Sequence, residues 1–134
     1  MLESYSIAKL VLAVILGAII GVEREKNHKP AGMRTHMLVA MGACLFTLSS
    51  MDFGQDPARI AASIVTGIGF IGAGTIIGER RQDKVVGITT AASLWTTAAI
   101  GLMVGIGEYY IAIAASFLVL FILLFDHIVK KWLK

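Results

Sequence analysis

One cysteine and few charges are the first constraints that this 134-residue sequence sets. A lone thiol, Cys44, excludes an intramolecular disulfide framework. Because it lies inside an apolar run, it reads as a small packing residue. Charged side chains make up only 16% of the chain and are absent from five long runs: Leu10–Val22, Met37–Met51, Ile60–Gly78, Val85–Gly107 and Ile111–Phe125. His28, His36 and His127 have no metal-ligand spacing. There is no nucleophile–base pair, phosphate loop or nucleic-acid element, so neither an enzyme nor a nucleic-acid partner is expected. No run has a carboxylate at its centre, which gives a proton relay or ion-coupled transporter little basis. Glu3 in the first residues and the lack of a small-x-small cleavage site argue against a cleaved leader.

What is present is apolar. Hydrophobic residues are 57% of the chain and mean hydropathy is +0.79, where a soluble domain is nearer 45–50% apolar. With its flanks, each uncharged run reaches about 20 residues, enough to cross a hydrocarbon core as a helix. The expected fold is an all-α membrane protein with a single domain over 1–134. Its five spans lie at about 6–22, 35–51, 58–78, 86–106 and 109–127, and the lipid bilayer is its first partner.

The basic residues sort by loop. Arg24, Lys26, Lys29 and Arg34 follow the first span, Arg80, Arg81 and Lys84 the third, and Lys130, Lys131 and Lys134 the fifth. Only Lys9 and Arg59 of the twelve lie on the other side. The positive-inside rule therefore predicts a cytoplasmic C-terminus and an outside N-terminus. Tyr109 and Tyr110 at one interface and Trp132 at the other fit an aromatic belt.

Gly67-x-Gly69-x-x-Gly72, with Gly74 added, has the letters of a dinucleotide-binding turn. That turn needs a preceding strand, a following helix and an acidic residue about twenty positions on. Here the glycines sit within one uncharged run, and a phosphate loop at membrane depth would strand backbone polar groups. On a helix, Ser63, Gly67, Gly74 and Gly78 share a sector about 60° wide. Gly69 and Gly72 lie opposite. Small residues let helices approach closely in lipid, so this span is expected to be the central helix, packed on two sides. The pairs Gly17–Gly21 and Gly101–Gly105 extend the expectation of tight packing to two more spans.

An internal repeat is also suggested. "GAIIGVEREK" from Gly17 resembles "GTIIGERRQDK" from Gly74, and Lys29-x-x-Gly32-x-x-Thr35 matches Lys84-x-x-Gly87-x-x-Thr90 at an offset of 55. Spans 1–2 and 3–4 would then form a parallel repeat of helix hairpins, with the fifth helix outside it. Such a repeat would bring Glu23, Arg24, Glu79 and Arg80 together near the cytoplasmic face, with Glu25 and Arg34 close by. The cluster reads either as ion pairs that fix helix ends or as a polar site for a divalent cation, a proton or a partner. Mg²⁺ keeps several waters, so Glu23, Glu25 and Glu79 are candidate ligands, although the nearby arginines argue against a pure cation site. No resident cofactor is otherwise implied.

On the other side, Asp56 followed by Pro57 reads as an N-cap and first helical position, with Arg59 in the same turn. Asp52 and Asp56 could alternatively mark an outward mouth. Thr89, Thr90, Ser93, Thr96 and Thr97 give the fourth span a high hydroxyl content. They are expected to bond backbone carbonyls or a neighbouring helix rather than to line a hydrated path.

Three phrases, "GVEREKNHKPAGMRTHMLVAMGA", "DPARIAASIVTGIGFIGAG" and "VVGITTAASLWTTAAIGL", resemble the MgtC/SapB family of bacterial inner-membrane proteins, over about Gly17 to Gly107. The resemblance implies a five-span domain in the cytoplasmic membrane. It also implies a link to low magnesium, acid or phosphate stress and survival inside host cells. Some members are thought to act as regulators, including by restraining the F-type ATP synthase, and magnesium transport is also attached to the name. By motif, the family's recurrent polar positions fall on Glu23, Arg24, Glu25, Arg34, Thr35, His36, Asp56, Arg59, Thr89, Thr90 and Trp95, the last grouped with the helix-packing residues. Many members carry a soluble C-terminal domain, and the sequence reaches Lys134 without one, so no function of that domain carries over. Two functions follow as expectations: a regulator that binds a membrane partner such as ATP synthase, or a cation (Mg²⁺) channel or transporter. A homo-oligomer is expected, with a dimer favoured, although the glycine faces can also be satisfied within one chain.

Overall fold

A computed structural model describes residues 2–54, 56–77 and 85–132. Among them the chain forms five helices and no strand: α1 (Leu2–Lys26), α2 (Met33–Asp52), α3 (Pro57–Ile77), α4 (Ile88–Ile106) and α5 (Tyr109–Trp132). Five helices stand where five spans are expected. Ser4–Lys26, Pro57–Ile76 and Ile88–Ile106 are long and apolar enough to cross a membrane, and Tyr109–Phe125 is a shorter apolar stretch. α2 falls outside that group because Arg34, His36, Thr47, Ser49, Ser50 and Asp52 dilute it.

Local chemistry sets the helix ends. Asp56 Oδ1 accepts the amide of Ala58 at 3.0 Å, and Pro57 opens α3 without an N–H to satisfy. Gly87, at the start of α4, has φ +97°, and a Cβ there would lie 2.3 Å from the Thr75 carbonyl oxygen. Both conditions require glycine. At the far end Gly107, φ +99°, donates to Val104 O, while Glu108 N donates to Met103 O. That is a Schellman ending. It lets α5 start two residues later.

α2 lies between α1 and α4, and glycine on each neighbour makes room for it. A Cβ on Gly17 would sit 2.6 Å from the His36 carbonyl oxygen, and one on Gly21 2.5 Å from Met33 Cα. From the other side, a Cβ on Gly101 would sit 2.1 Å from Ala40 O, and one on Gly105 2.6 Å from Thr47 Cβ. In lipid, dispersion across such close approaches holds helices together. The core that results joins Ala13, Leu16, Ile20, Ala40, Cys44, Ile100 and Val104, with Ala112 and Leu123 of α5. α5 packs on α4 and α1.

α3 is peripheral, which corrects the expectation that it forms the centre. It meets α4 through Gly72, whose Cβ position lies 3.4 Å from Ala91 Cβ, and it meets α2 near Ile64 and Ile68. Added Cβ atoms on Gly67, Gly69 and Gly74 would meet nothing within 4 Å. Of its two thin sides, the one carrying Gly67 and Gly74 therefore has no close neighbour among the described residues, and the other is met only at Gly72. Gly78 lies outside the described residues. Between α2 and α3 an apolar groove of about 610 Å³ remains open, lined among others by Leu38, Gly42, Phe46, Ile60, Ser63 and Gly67.

Candidate functional site

The basic end of the bundle, where α1 ends and α2 and α4 begin, carries a buried polar cluster. Glu23 and Arg24 are 5% and 4% exposed. Consecutive helical residues normally diverge, yet Arg24 folds back over its neighbour. Its Nη2 donates to Glu23 Oε1 at 2.8 Å, and its Nε donates to Oε2. Asn27 Nδ2 donates to Glu23 Oε1 at 2.7 Å and to the Glu23 carbonyl at 2.8 Å. Both carboxylate oxygens are thus engaged, and the bidentate fork cancels the charge where water is excluded.

Glu25 has a different role. Its Oε2 accepts the amide of Met33, the first residue of α2, at 2.8 Å. Gly32 precedes that helix without a side-chain cap, and a Cβ on it would fall 1.7 Å from the same oxygen. The carboxylate therefore occupies the capping position from eight residues upstream and meets the positive end of the helix dipole. Arg34 is exposed and does not pair with Glu25; the ion pair formed among the described residues is Arg24–Glu23.

His36 is fully buried and joins two helices. Nδ1 lies 2.9 Å from the Gly32 carbonyl, and Nε2 lies 3.0 Å from Ser93 Oγ on α4. A carbonyl only accepts, so Nδ1 carries a proton and donates. In the neutral ring Nε2 is an acceptor, so the single Ser93 hydroxyl proton is shared between Nε2 at 3.0 Å and Thr90 O at 2.8 Å. Two more α4 hydroxyls turn to their own helix: Thr97 donates to Ser93 O at 2.7 Å and Thr96 to Ala92 O at 2.9 Å. This is the carbonyl bonding expected of them.

The remaining expected residues disperse. Thr35 is half-buried at the α2–α3 groove, Thr90 is buried and Thr89 is exposed. Trp95, expected to pack, is 51% exposed and turns away from the core. Asp56 caps α3, and Arg59 is exposed on its first turn. Glu79 and Arg80 lie outside the described residues, so the convergence expected of them does too. Among the described residues no three His, Cys, Asp or Glu side chains gather as metal ligands do.

Sequence reasoning missed Asn27 and Lys9. Lys9 Nζ donates to Gly105 O at 2.8 Å, in the last turn of α4, and sits 5.4 Å over the Tyr5 ring. The cation thereby complements a helix C-terminus. Tyr109 donates to Tyr5 between hydroxyls at 2.9 Å, tying α5 to α1. Being one of only two basic residues at that end was the available signal for Lys9.

The comparisons with known proteins agree with one another. The family model described as "MgtC family" matches residues 10–132. The chain is 46% identical over 127 residues to the "Putative magnesium transporter YhiD" of Escherichia coli K12, covering 87% of this chain and 58% of the relative. It is 50% identical over 115 residues to "Protein MgtC" of Salmonella typhimurium LT2, covering 85% and 49%. An uncharacterized Haemophilus influenzae protein is 35% identical over 136 residues, covering 93% and 57%. The chain spans about half the length of the curated relatives it matches. No solved structure matches it.

Proposed function

The chain belongs to the MgtC family, and on that premise we propose that it is a bacterial inner-membrane regulator of adaptation to low magnesium or a related stress. It acts by binding a membrane partner, such as the F-type ATP synthase. The basic end faces the cytoplasm in this reading, in keeping with the uneven distribution of lysine and arginine. The observation that carries it is the state of Glu23. Both oxygens are held by Arg24 and Asn27, so the most deeply buried acidic group among the described residues at the basic end supports helix packing rather than offering a cation its ligands. Affinity purification from native membranes tests the proposal. A stoichiometric membrane complex is expected, and recovery of the chain alone would overturn it.

A second reading, a Mg²⁺ channel or transporter, is favoured by the printed name of the Escherichia coli relative. In proteoliposomes this reading requires Mg²⁺ uptake that Glu23→Gln abolishes. Absence of uptake, with Glu23→Gln and Glu79→Gln equal to the parent, removes it.

A further inference from the structure

The close approaches in the bundle come in two related sets. Gly17 stands against His36, and Gly72 against Ala91, each member 55 positions further on. Gly21 stands against Met33 at the start of α2, and Gly87 at the start of α4 stands against Ile76. α3 thus approaches α4 where α1 approaches α2. On that relation, the side of the bundle shared by α1 and α4 has its counterpart in the side shared by α2 and α3. The first side is filled: α5 lies along it and buries Ala112, Ser116 and Leu123. The second is the open groove, where Leu38 and Phe46 remain 62% and 65% exposed.

We propose that this groove is the contact with a second copy of this chain, whose α3 lies in it about a two-fold axis parallel to the helices. Gly42 on α2 and Gly67 on α3 line the groove, and a Cβ on either would meet nothing within 4 Å. A helix backbone can therefore approach both walls. α3 itself presents Ser63, Gly67 and Gly74 on one sector, all exposed. A two-fold axis sets these sectors against each other, so that each α3 closes the other copy's groove. One surface then serves as both halves of the contact, as an isologous interface requires.

Charge singles out a second copy over a lipid chain. Asp52 ends α2 and Arg59 stands in the first turn of α3, at the same end of the bundle, and both are exposed. Neither is in the ion pair formed among the described residues. The two-fold places each Arg59 at the level of the other copy's Asp52, which makes two reciprocal pairs at the rim.

Disulfide trapping in native membranes tests this. In a Cys44→Ala background, Ser63→Cys should give a covalent dimer on mild oxidation, whereas Phe117→Cys on the outer side of α5 should stay monomeric. Gly67→Leu, and separately Gly42→Leu, should lower the trapped dimer about tenfold or more. A Cβ at either position meets no atom of its own chain within 4 Å. Arg59→Asp should weaken trapping, and adding Asp52→Arg should restore it. Trapping at Ser63 no greater than at Phe117 would overturn the proposal. So would a yield unchanged by both groove-filling variants, with lipid retained in the groove.

Discussion

Gly101 and Ala40 bring α4 and α2 so close that a Cβ on Gly101 would lie 2.1 Å from the Ala40 carbonyl oxygen. The atom in the way is backbone, so no side-chain rotation relieves the contact. Gly101→Ala should destabilise the bundle by about 1–3 kcal/mol, as overpacking does, and Gly101→Leu by more. Gly69→Leu on α3 should be nearly neutral, because a Cβ there meets nothing within 4 Å. Unfolding in mixed detergent micelles distinguishes the two; equal loss at both positions would contradict the placement of α3 at the edge.

Breaking the Glu23–Arg24 pair should be costly. Glu23→Gln leaves a guanidinium that is 4% exposed facing a neutral amide, and removing one partner of a buried pair costs about 3–5 kcal/mol. Replacing Arg24 with Gln as well should recover part of that loss. A double-mutant cycle on unfolding free energy gives the coupling, and zero coupling would reduce the pair to coincidence.

Glu25 can be separated from Glu23 by the kind of loss. Glu25→Ala removes the acceptor of the Met33 amide, so α2 should fray at its start, at about 1 kcal/mol for a lost cap. Hydrogen exchange at Met33–Thr35 should accelerate while the α4 amides stay protected. Glu25→Gln, which keeps an acceptor oxygen, should restore most of the protection.

The histidine link predicts a tautomer and a cost. Labelled histidine read by ¹⁵N NMR in bilayers should show Nδ1 protonated in the neutral ring, because Gly32 O can only accept. Ser93→Ala strands Nε2 where no water reaches, at about 1–3 kcal/mol. A proton found on Nε2 alone would mean that the ring is oriented otherwise.

Much of this fold was legible because glycine and charge spacing are local signals. Gly17–Gly21 and Gly101–Gly105 mark close approaches, and Asp56–Pro57 marks a helix start; all three need only neighbouring residues. The centre of the bundle was not legible in the same way. A helical wheel shows that α3 has thin sides but not whether a neighbour covers them, and lipid-facing and protein-facing surfaces are equally apolar. The His36–Ser93 bond joins residues 57 apart on different helices. The Glu25 cap required knowing how residues 27–32 turn, with His28 at φ +52°. Hydropathy carries neither.

The least apolar helix is also the one with most of its length between two others. α2 does not qualify alone as a crossing segment, yet His36, Ala40, Cys44 and Thr47 are buried between α1 and α4. His36 and Thr47 are thus covered by neighbouring helices rather than by lipid, and Gly17, Gly21, Gly101 and Gly105 are what let those neighbours come close enough to cover them.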